Sequence, residues 1–508
     1  MKHVIDKIAR RYALSRQIRI EELRKNASNL QQQTFKHQLT KLSKAKYLKE
    51  KGINAKTSLK EFRQNLPLVS YEDLFPYIQK MMLGERNVLV PGQVKWFSKS
   101  SGTTGSKSKF IPVTKNFMRT AYTRTNWDVV TILNNHDPHI GVFRHKTLLM
   151  GGTLQSYIEN PKTTIGDVSA IMMENMPRFA KSFNTPSFEI ALMDDWDNKL
   201  ELMKTICSEE SVLTFGGVPT WLLVLFRMML EYKKVETMTE IWPNARVFLH
   251  GGVGFDPYKE EFEKLFPRDD FIYMEAYNAS EGYFGLQDRV EDDGMLLLTD
   301  NSVYYEFIPK SELESENPIV LSLEELEVDV DYALVISTSS GLWRYKIGDL
   351  IRFKSVNPYR FKVVGRTKQF INTFGEELMV HDADAAIKIC SEKFSCSVSD
   401  YTAAPIYFND KNRRPGHQWL VEFETSPNDL DLFTEVLDKT LQDLNGDYEA
   451  KRYKSIAIDQ LRLTSIPKGS FNSWLRANSK WGAQVKVPRL SNDRLIIDDI
   501  LQHLSMQV

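Results

Sequence analysis

With 508 residues the chain is too long for one hydrophobic core and should divide into about two to four units. Its composition is that of an ordinary globular protein, 42% hydrophobic and 26% charged, with Lys plus Arg and Asp plus Glu balanced at 66 each. A net charge of zero argues against a nucleic-acid partner held by overall charge, and three cysteines without a CxxC pair argue against a disulfide framework.

The chain opens MKHVIDKIARRYALSRQIRIEEL, charged from its first residues and without an apolar run of signal-peptide length. Val4, Ile8 and Tyr12 recur at helical spacing and predict an amphipathic helix; Glu21 and Glu22 argue against a transit peptide. Residues 1 to about 66 read as a polar, helical, bundle-like leader.

Ser98 to Pro112 reads SKSSGTTGSKSKFIP. Glycines let backbone N–H groups approach closely, hydroxyls donate and lysines neutralise charge, so the stretch suits a loop around a polyphosphate. It does not have Walker A spacing, and the same composition also fits a polar surface turn.

Next come apolar runs that end in paired glycines. Lys146 to Met150 precedes Gly151-Gly152, Ser211 to Phe215 precedes Gly216-Gly217, and Arg246 to His250 precedes Gly251-Gly252. Helices are predicted from Pro219 to Tyr232 and near Pro257 to Phe266, and Phe271 to Ala276 leads into YNASEG. Strand, glycine turn and helix in repetition are the mark of an α/β sheet, whose ligands gather at the strand C-termini. An apolar pocket is expected among Thr153–Tyr157, Phe215–Leu222 and Tyr122–Val129. The most apolar stretch, Val218 to Leu230, contains Arg227 and is too short to span a bilayer, so a cytoplasmic protein with no membrane partner is expected.

In Tyr277-Asn278-Ala279-Ser280-Glu281-Gly282 a carboxylate follows a predicted strand. Such a group can hold Mg²⁺ against phosphate oxygens, and the segment equally fits an Asx-type turn with a solvated glutamate. Met295 to Val364 alternates in the manner of an antiparallel or barrel-like region. Within it, WRYKIGD puts Asp349 where it either accepts from a ribose diol or caps a turn in an ion pair with Arg344 or Arg352. Gly365-Arg366 marks the expected domain boundary. Beyond it, helices near 381–394 and 429–445 and a strand near 417–424 predict a mixed α+β segment.

SSGTTGSKSKFIP, YNASEGYFG, WRYKIGDLIRF and the Gly-Arg pair, in that order, resemble the acyl-adenylate-forming superfamily. They are closest in kind to the Gretchen Hagen family of auxin-responsive acyl acid amido synthetases, in a shorter bacterial-type form. The resemblance runs nearly to the end of the chain, through GAQVKVPRLSND. It implies an α/β fold: a large N-terminal domain over 1–365 with parallel-rich sheets and a barrel-like region, and a smaller, mobile α+β domain over 366–508. It further implies an ATP-dependent ligase that uses Mg²⁺, turns a carboxylic acid into an acyl-AMP and passes the acyl group to an amine, usually that of an amino acid. An acyl-CoA synthetase or an inactive nucleotide-binding scaffold are the alternatives.

Carried over residue by residue, the resemblance makes Ser100, Ser101, Thr103 and Thr104 phosphate-loop contacts. Tyr277, Ser280 and Glu281 become adenine, phosphate and Mg²⁺ contacts. Asp349 becomes the ribose ligand and Arg366 a hinge-side contact, with Gly251-Gly252 near the adenine. Plant members place a lysine just after the hinge, where this chain reads Asn372-Thr373-Phe374-Gly375-Glu376-Glu377, and Lys486 is the replacement candidate.

Overall fold

The computed structural model describes residues 2–100, 109–292, 294–367, 370–407, 415–455, 457–478 and 487–505. Eleven strands form its largest sheet. One half is parallel: Lys146–Leu149, Val212–Gly217, Val247–His250 and Ile272–Ala279 lie side by side, with Asn184–Thr185 at the edge. Helices Trp196–Cys207, Pro219–Lys233 and Asp256–Leu265 connect these strands, as the glycine-punctuated runs predict.

The direction changes at Ile272–Ala279. That strand pairs with Val247–His250 in parallel and with Gly282–Leu286 antiparallel, so Ser280 and Glu281 form the tip of a hairpin. Met295–Leu297, Tyr359–Arg366, Tyr345–Val356, Asp331–Thr338 and Val303–Pro309 continue the antiparallel half, joined edge to edge to the parallel half in one sheet.

The leader is helical over Lys2–Lys25, Ala27–Leu42, Lys46–Glu50 and Leu59–Asn65, but it lies on the sheet and does not form a bundle of its own. Leu23, Leu30 and Phe35 enter the same core as Tyr304, Phe307 and Trp343. Buried amides stitch it down: Gln31 Nε2 donates to the Thr299 and Val303 carbonyls at 2.9 Å, and its Oε1 accepts from the Tyr305 N–H at 2.8 Å. Such bonds satisfy backbone groups of the sheet that the leader covers.

A separate four-stranded mixed sheet carries Trp96–Ser100 and Lys109–Val113 as antiparallel neighbours, Ser100 opposite Lys109. After Arg366 the chain forms helices Val380–Lys393 and Leu430–Leu444 and a three-stranded sheet of Ser397–Ile406, Gly416–Thr425 and Arg462–Ile466, the α+β segment expected.

Candidate active site

The paired glycines and the hairpin tip meet at the C-terminal ends of the parallel strands. At Gly251 a Cβ would lie 2.2 Å from the Ala276 carbonyl oxygen, so only glycine lets the two strands approach, and Gly252 follows at φ +82°. Together with Tyr277, Ser280, Glu281, Asp349 and Arg366 they line one cavity of about 380 Å³. Residues separated by more than 100 positions in sequence are thus brought together.

Asp349 and Arg366 stand directly opposite each other on neighbouring antiparallel strands, and Arg366 Nε donates to Asp349 Oδ1 at 2.7 Å. The other carboxylate oxygen accepts from the Tyr277 hydroxyl. The ion-pair reading of Asp349 therefore finds a different partner: Arg344 pairs with Glu306 and Arg352 with Asp331. Tyr277 packs its ring edge-on against Phe284, centroids 5.0 Å apart.

Glu281 is buried, and the Tyr345 hydroxyl donates to it at 3.3 Å. Burial pushes its carboxyl above the ordinary range; Lys109 opposes that shift and the Asp349 carboxylate adds to it. Burial also pulls the Lys109 ammonium down, against the attraction of Glu281. Lys109 escaped assignment from sequence because its side chain gains a site only when its hairpin folds against the cavity. It also lines an adjoining groove of about 870 Å³, shared with Arg366.

Asn278 Oδ1 and Arg366 Nη1 are buried without a hydrogen-bond partner, which leaves one acceptor and one donor for a bound group. Among the described residues no three His, Cys, Asp or Glu side chains cluster as a metal cage. With Asp349 held by Arg366 and Tyr277, the buried carboxylate of Glu281 fits Mg²⁺ held by one protein ligand and by substrate phosphates. Ser101, Thr103, Thr104 and Lys486 lie outside the described residues; Ser100 ends the strand next to Lys109.

The C-terminal segment closes one side. Asn372 Nδ2 donates to the Gly252 carbonyl at 3.1 Å, and the Asn372 N–H donates to Asn492 Oδ1 at 2.7 Å. Tyr258 of the N-terminal region donates to the Thr373 carbonyl at 2.5 Å. Under this turn, Glu376 accepts from the Phe374 N–H at 2.6 Å and pairs with His417 at 2.8 Å, both side chains fully buried.

A second cavity, about 250 Å³, opens at the same strand ends. Trp127, Phe143, Phe183 and Phe215 supply aromatic surface, and no charged side chain lines it among the described residues. Segments 122–129 and 215–222 contribute, as expected. Thr153–Tyr157 does not, because Leu154–Tyr157 is the edge strand of the smaller mixed sheet. Tyr122 lines this cavity and donates to the Ala279 carbonyl at 3.2 Å, one residue before the Ser280-Glu281 tip.

Comparison with known proteins agrees along the whole chain. The GH3 family N-terminal domain matches residues 16–214 and 153–271, the central domain 296–366 and the C-terminal domain 381–495. Indole-3-acetic acid-amido synthetase GH3.3 of Arabidopsis thaliana is 22% identical, over 92% of this chain and 90% of that protein. Jasmonoyl--L-amino acid synthetase JAR4 of Nicotiana attenuata is 23% identical, over 96% of this chain and 95% of that one. Among solved structures, the AtGH3.15 acyl acid amido synthetase in complex with 2,4-DB superposes with a TM-score of 0.62 at 17% identity, covering 96% and 95% of the two chains. A 2-hydroxyisobutyryl-CoA ligase in its thioesterification state gives 0.54 at 13% identity, covering 94% and 91%. These superpositions show that the chain shares the fold of those two proteins, and the family matches establish that the chain belongs to the GH3 family.

Proposed function

We propose that the chain is an ATP-dependent ligase that joins a carboxylic acid to an amine through an acyl-adenylate. The observation that carries this reading is the meeting of Gly251-Gly252, Tyr277, Ser280, Glu281, Asp349 and Arg366 at one cavity, next to an aromatic cavity across Tyr122. The printed activities of the amido synthetase relatives support it.

In the first half-reaction a carboxylate oxygen attacks the α-phosphorus of ATP. A C–O–P linkage forms, the bond to the β-phosphate oxygen breaks and pyrophosphate leaves. In the second, the amine nitrogen attacks the acyl carbon, AMP leaves with the bonding electrons and the amine gives up a proton. Asp349, held by Arg366 and Tyr277, is assigned the ribose hydroxyls, and Gly251-Gly252 with Tyr277 the adenine side. Ser280, Lys109 and the loop residues Ser100, Ser101, Thr103 and Thr104 are assigned the phosphates, with Lys486 as the further cation for adenylation. Glu281 would hold Mg²⁺, which when bound neutralises phosphate charge. Protein work in such transfers is largely positioning and charge stabilisation.

The uncharged aromatic cavity would take the body of the acid. A division at 365/366 is supported by Gly365, which has φ +152° and open space where a Cβ would stand. No described helix is long and apolar enough to cross a membrane, and a cytoplasmic location is part of this proposal. ATP–pyrophosphate exchange over a panel of carboxylic acids, followed by a screen of amines with the best acid, tests the reading. Acid-independent exchange or none at all would overturn it, and product with coenzyme A but with no amine would redirect it to thioester formation.

A further inference from the structure

The strand ends run in order: Gly151-Gly152, Gly217-Val218, Gly251-Gly252, Ser280-Glu281. The nucleotide cavity takes the last two. Over the stretch from Gly152 to Val218, helix Gly446–Arg452 brings in Lys451 from the C-terminal segment. Lys451 is 7% exposed, with its ammonium 4.8 Å from the Trp221 ring centroid. Its end lies against the turn that docks on Gly252: a Cβ on Gly375 would sit 3.2 Å from Nζ and 3.5 Å from Val218 Cγ1.

A second buried lysine serves as an internal control. Trp221 stacks on Trp196 with centroids 4.4 Å apart, and Lys199 lies 4.3 Å from the Trp196 centroid. Lys199 Nζ donates to the Gly151 carbonyl at 2.5 Å, so its burial is compensated by a hydrogen bond. The Lys451 ammonium makes no hydrogen bond or ion pair among the described residues and rests against the Trp221 ring. Four carboxylates attract it from further away, Asp447 most, then Glu376, Asp167 and Glu377; of these Glu376 is committed to His417 and the Phe374 N–H, and Asp167 accepts from the Thr153 N–H at 2.8 Å. Burial pulls its ammonium down to about 8, as it does that of Lys199, so the two lysines differ in their bonded partners and not in their desolvation. A buried cation without a bonded anion is costly, and it is kept where an anion arrives with a ligand.

We propose that Lys451 binds the α-carboxylate of an acceptor amino acid and holds its amine toward the acyl carbon at the Gly217 and Gly252 strand ends. This rests on the amide-forming reading above. It assigns the selection of an amino acid over a simple amine to one residue of the C-terminal segment.

Matched acceptors test it: alanine against alaninamide, then phenylalanine against phenylalaninamide, each with the acid that gives the strongest exchange. The ratio of kcat/KM for the amino acid over its amide isolates the carboxylate, because the two amines share the same acyl-adenylate. Wild type should favour the amino acid at least tenfold. Lys451→Met should lower the ratio at least tenfold, chiefly through KM for the amino acid, and Lys451→Arg should restore most of it. Equal loss with both acceptors would mean a merely structural lysine and would overturn the inference, as would an unchanged ratio in Lys451→Met. Should Lys451→Met fail to fold, an arginine variant with no preference for the carboxylate where wild type has one overturns it as well. A wild type that forms amides without preferring the carboxylate overturns this inference alone; one that adenylates acids but forms no amide overturns the amide reading and this inference with it.

Discussion

Two clusters of buried charge lie in the antiparallel half of the large sheet and at its seam with the parallel half, and they are built on opposite terms. In the first, Glu306 receives Arg344 through Nε at 3.0 Å and Nη2 at 3.3 Å, and Arg63 Nε at 2.8 Å. Arg344 Nη1 donates further to the Leu66 and Arg63 carbonyls at 2.7 and 3.0 Å. In the second, Glu281 has one side-chain donor at 3.3 Å, Asn278 Oδ1 has no hydrogen-bond partner, Arg366 Nη1 has only Glu377 at 3.9 Å, and Lys109 is desolvated beside them. Arg344 and Asp349 come from the same short motif, yet one closes a structural network and the other faces a cavity. Saturated hydrogen bonding marks charge used for the fold, and incomplete bonding marks charge reserved for a ligand.

The comparison is broken most directly by removing one carboxylate from each cluster. Glu306→Ala strands Arg344 and should cost about 3–5 kcal/mol of stability, read from the urea midpoint. Glu281→Gln should cost little stability. Its carboxyl is raised by burial, so the ionised form weighs against the fold, and that penalty grows as pH rises above the ordinary carboxylate range. The variant should therefore be as stable as wild type or more so at pH 7, while exchange falls more than tenfold, a loss above about 1.4 kcal/mol. If both variants unfold alike, or if Glu281→Gln keeps its exchange, the contrast between the clusters disappears.

Asp349→Ala sharpens the assignment within the second cluster. Loss of a charge-assisted contact to ribose should weaken ATP by about 1.5–3 kcal/mol in calorimetry, with discrimination against 2′-deoxy-ATP abolished. Unchanged ATP affinity in the folded variant would make the Asp349–Arg366 pair structural, like its neighbour. The smallest effect is expected at the seam to the C-terminal segment. Gly365 and Gly254 both have open space around a Cβ, but only Gly365 holds a φ in the region that favours glycine. Gly365→Ala should lower stability by about 1 kcal/mol, while Gly254→Ala should be neutral or slightly stabilising, both followed by Tm.

Much of the candidate site was legible because its glycines and its carboxylates sit where chain direction changes. Paired glycines after Arg246–His250 announce a strand end, and YNASEG announces the turn beyond the next strand. Lys109 and Lys451 were not legible as site residues. Neither stands in a pattern of its own, and each acquires its role from burial against groups far off in sequence. The helical spacing of the leader was readable, but Gln31 reaching three backbone groups of the sheet was not, because an amide in a polar helix carries no mark of what it will face.

The sequence by itself determined the strand–glycine–helix alternation, the antiparallel stretch after it and the order of motifs that carries the family resemblance. These follow from local periodicity, from the backbone freedom of glycine and from neighbours along the chain. Only the tertiary structure decided that Asp349 pairs with Arg366 and not with Arg344, that Glu281 is buried beside Lys109, and that the C-terminal segment sets Lys451 against Trp221. Those outcomes depend on cross-strand register and on which groups lose water together. Desolvation is a property of the packed assembly, and no single segment of the chain encodes it.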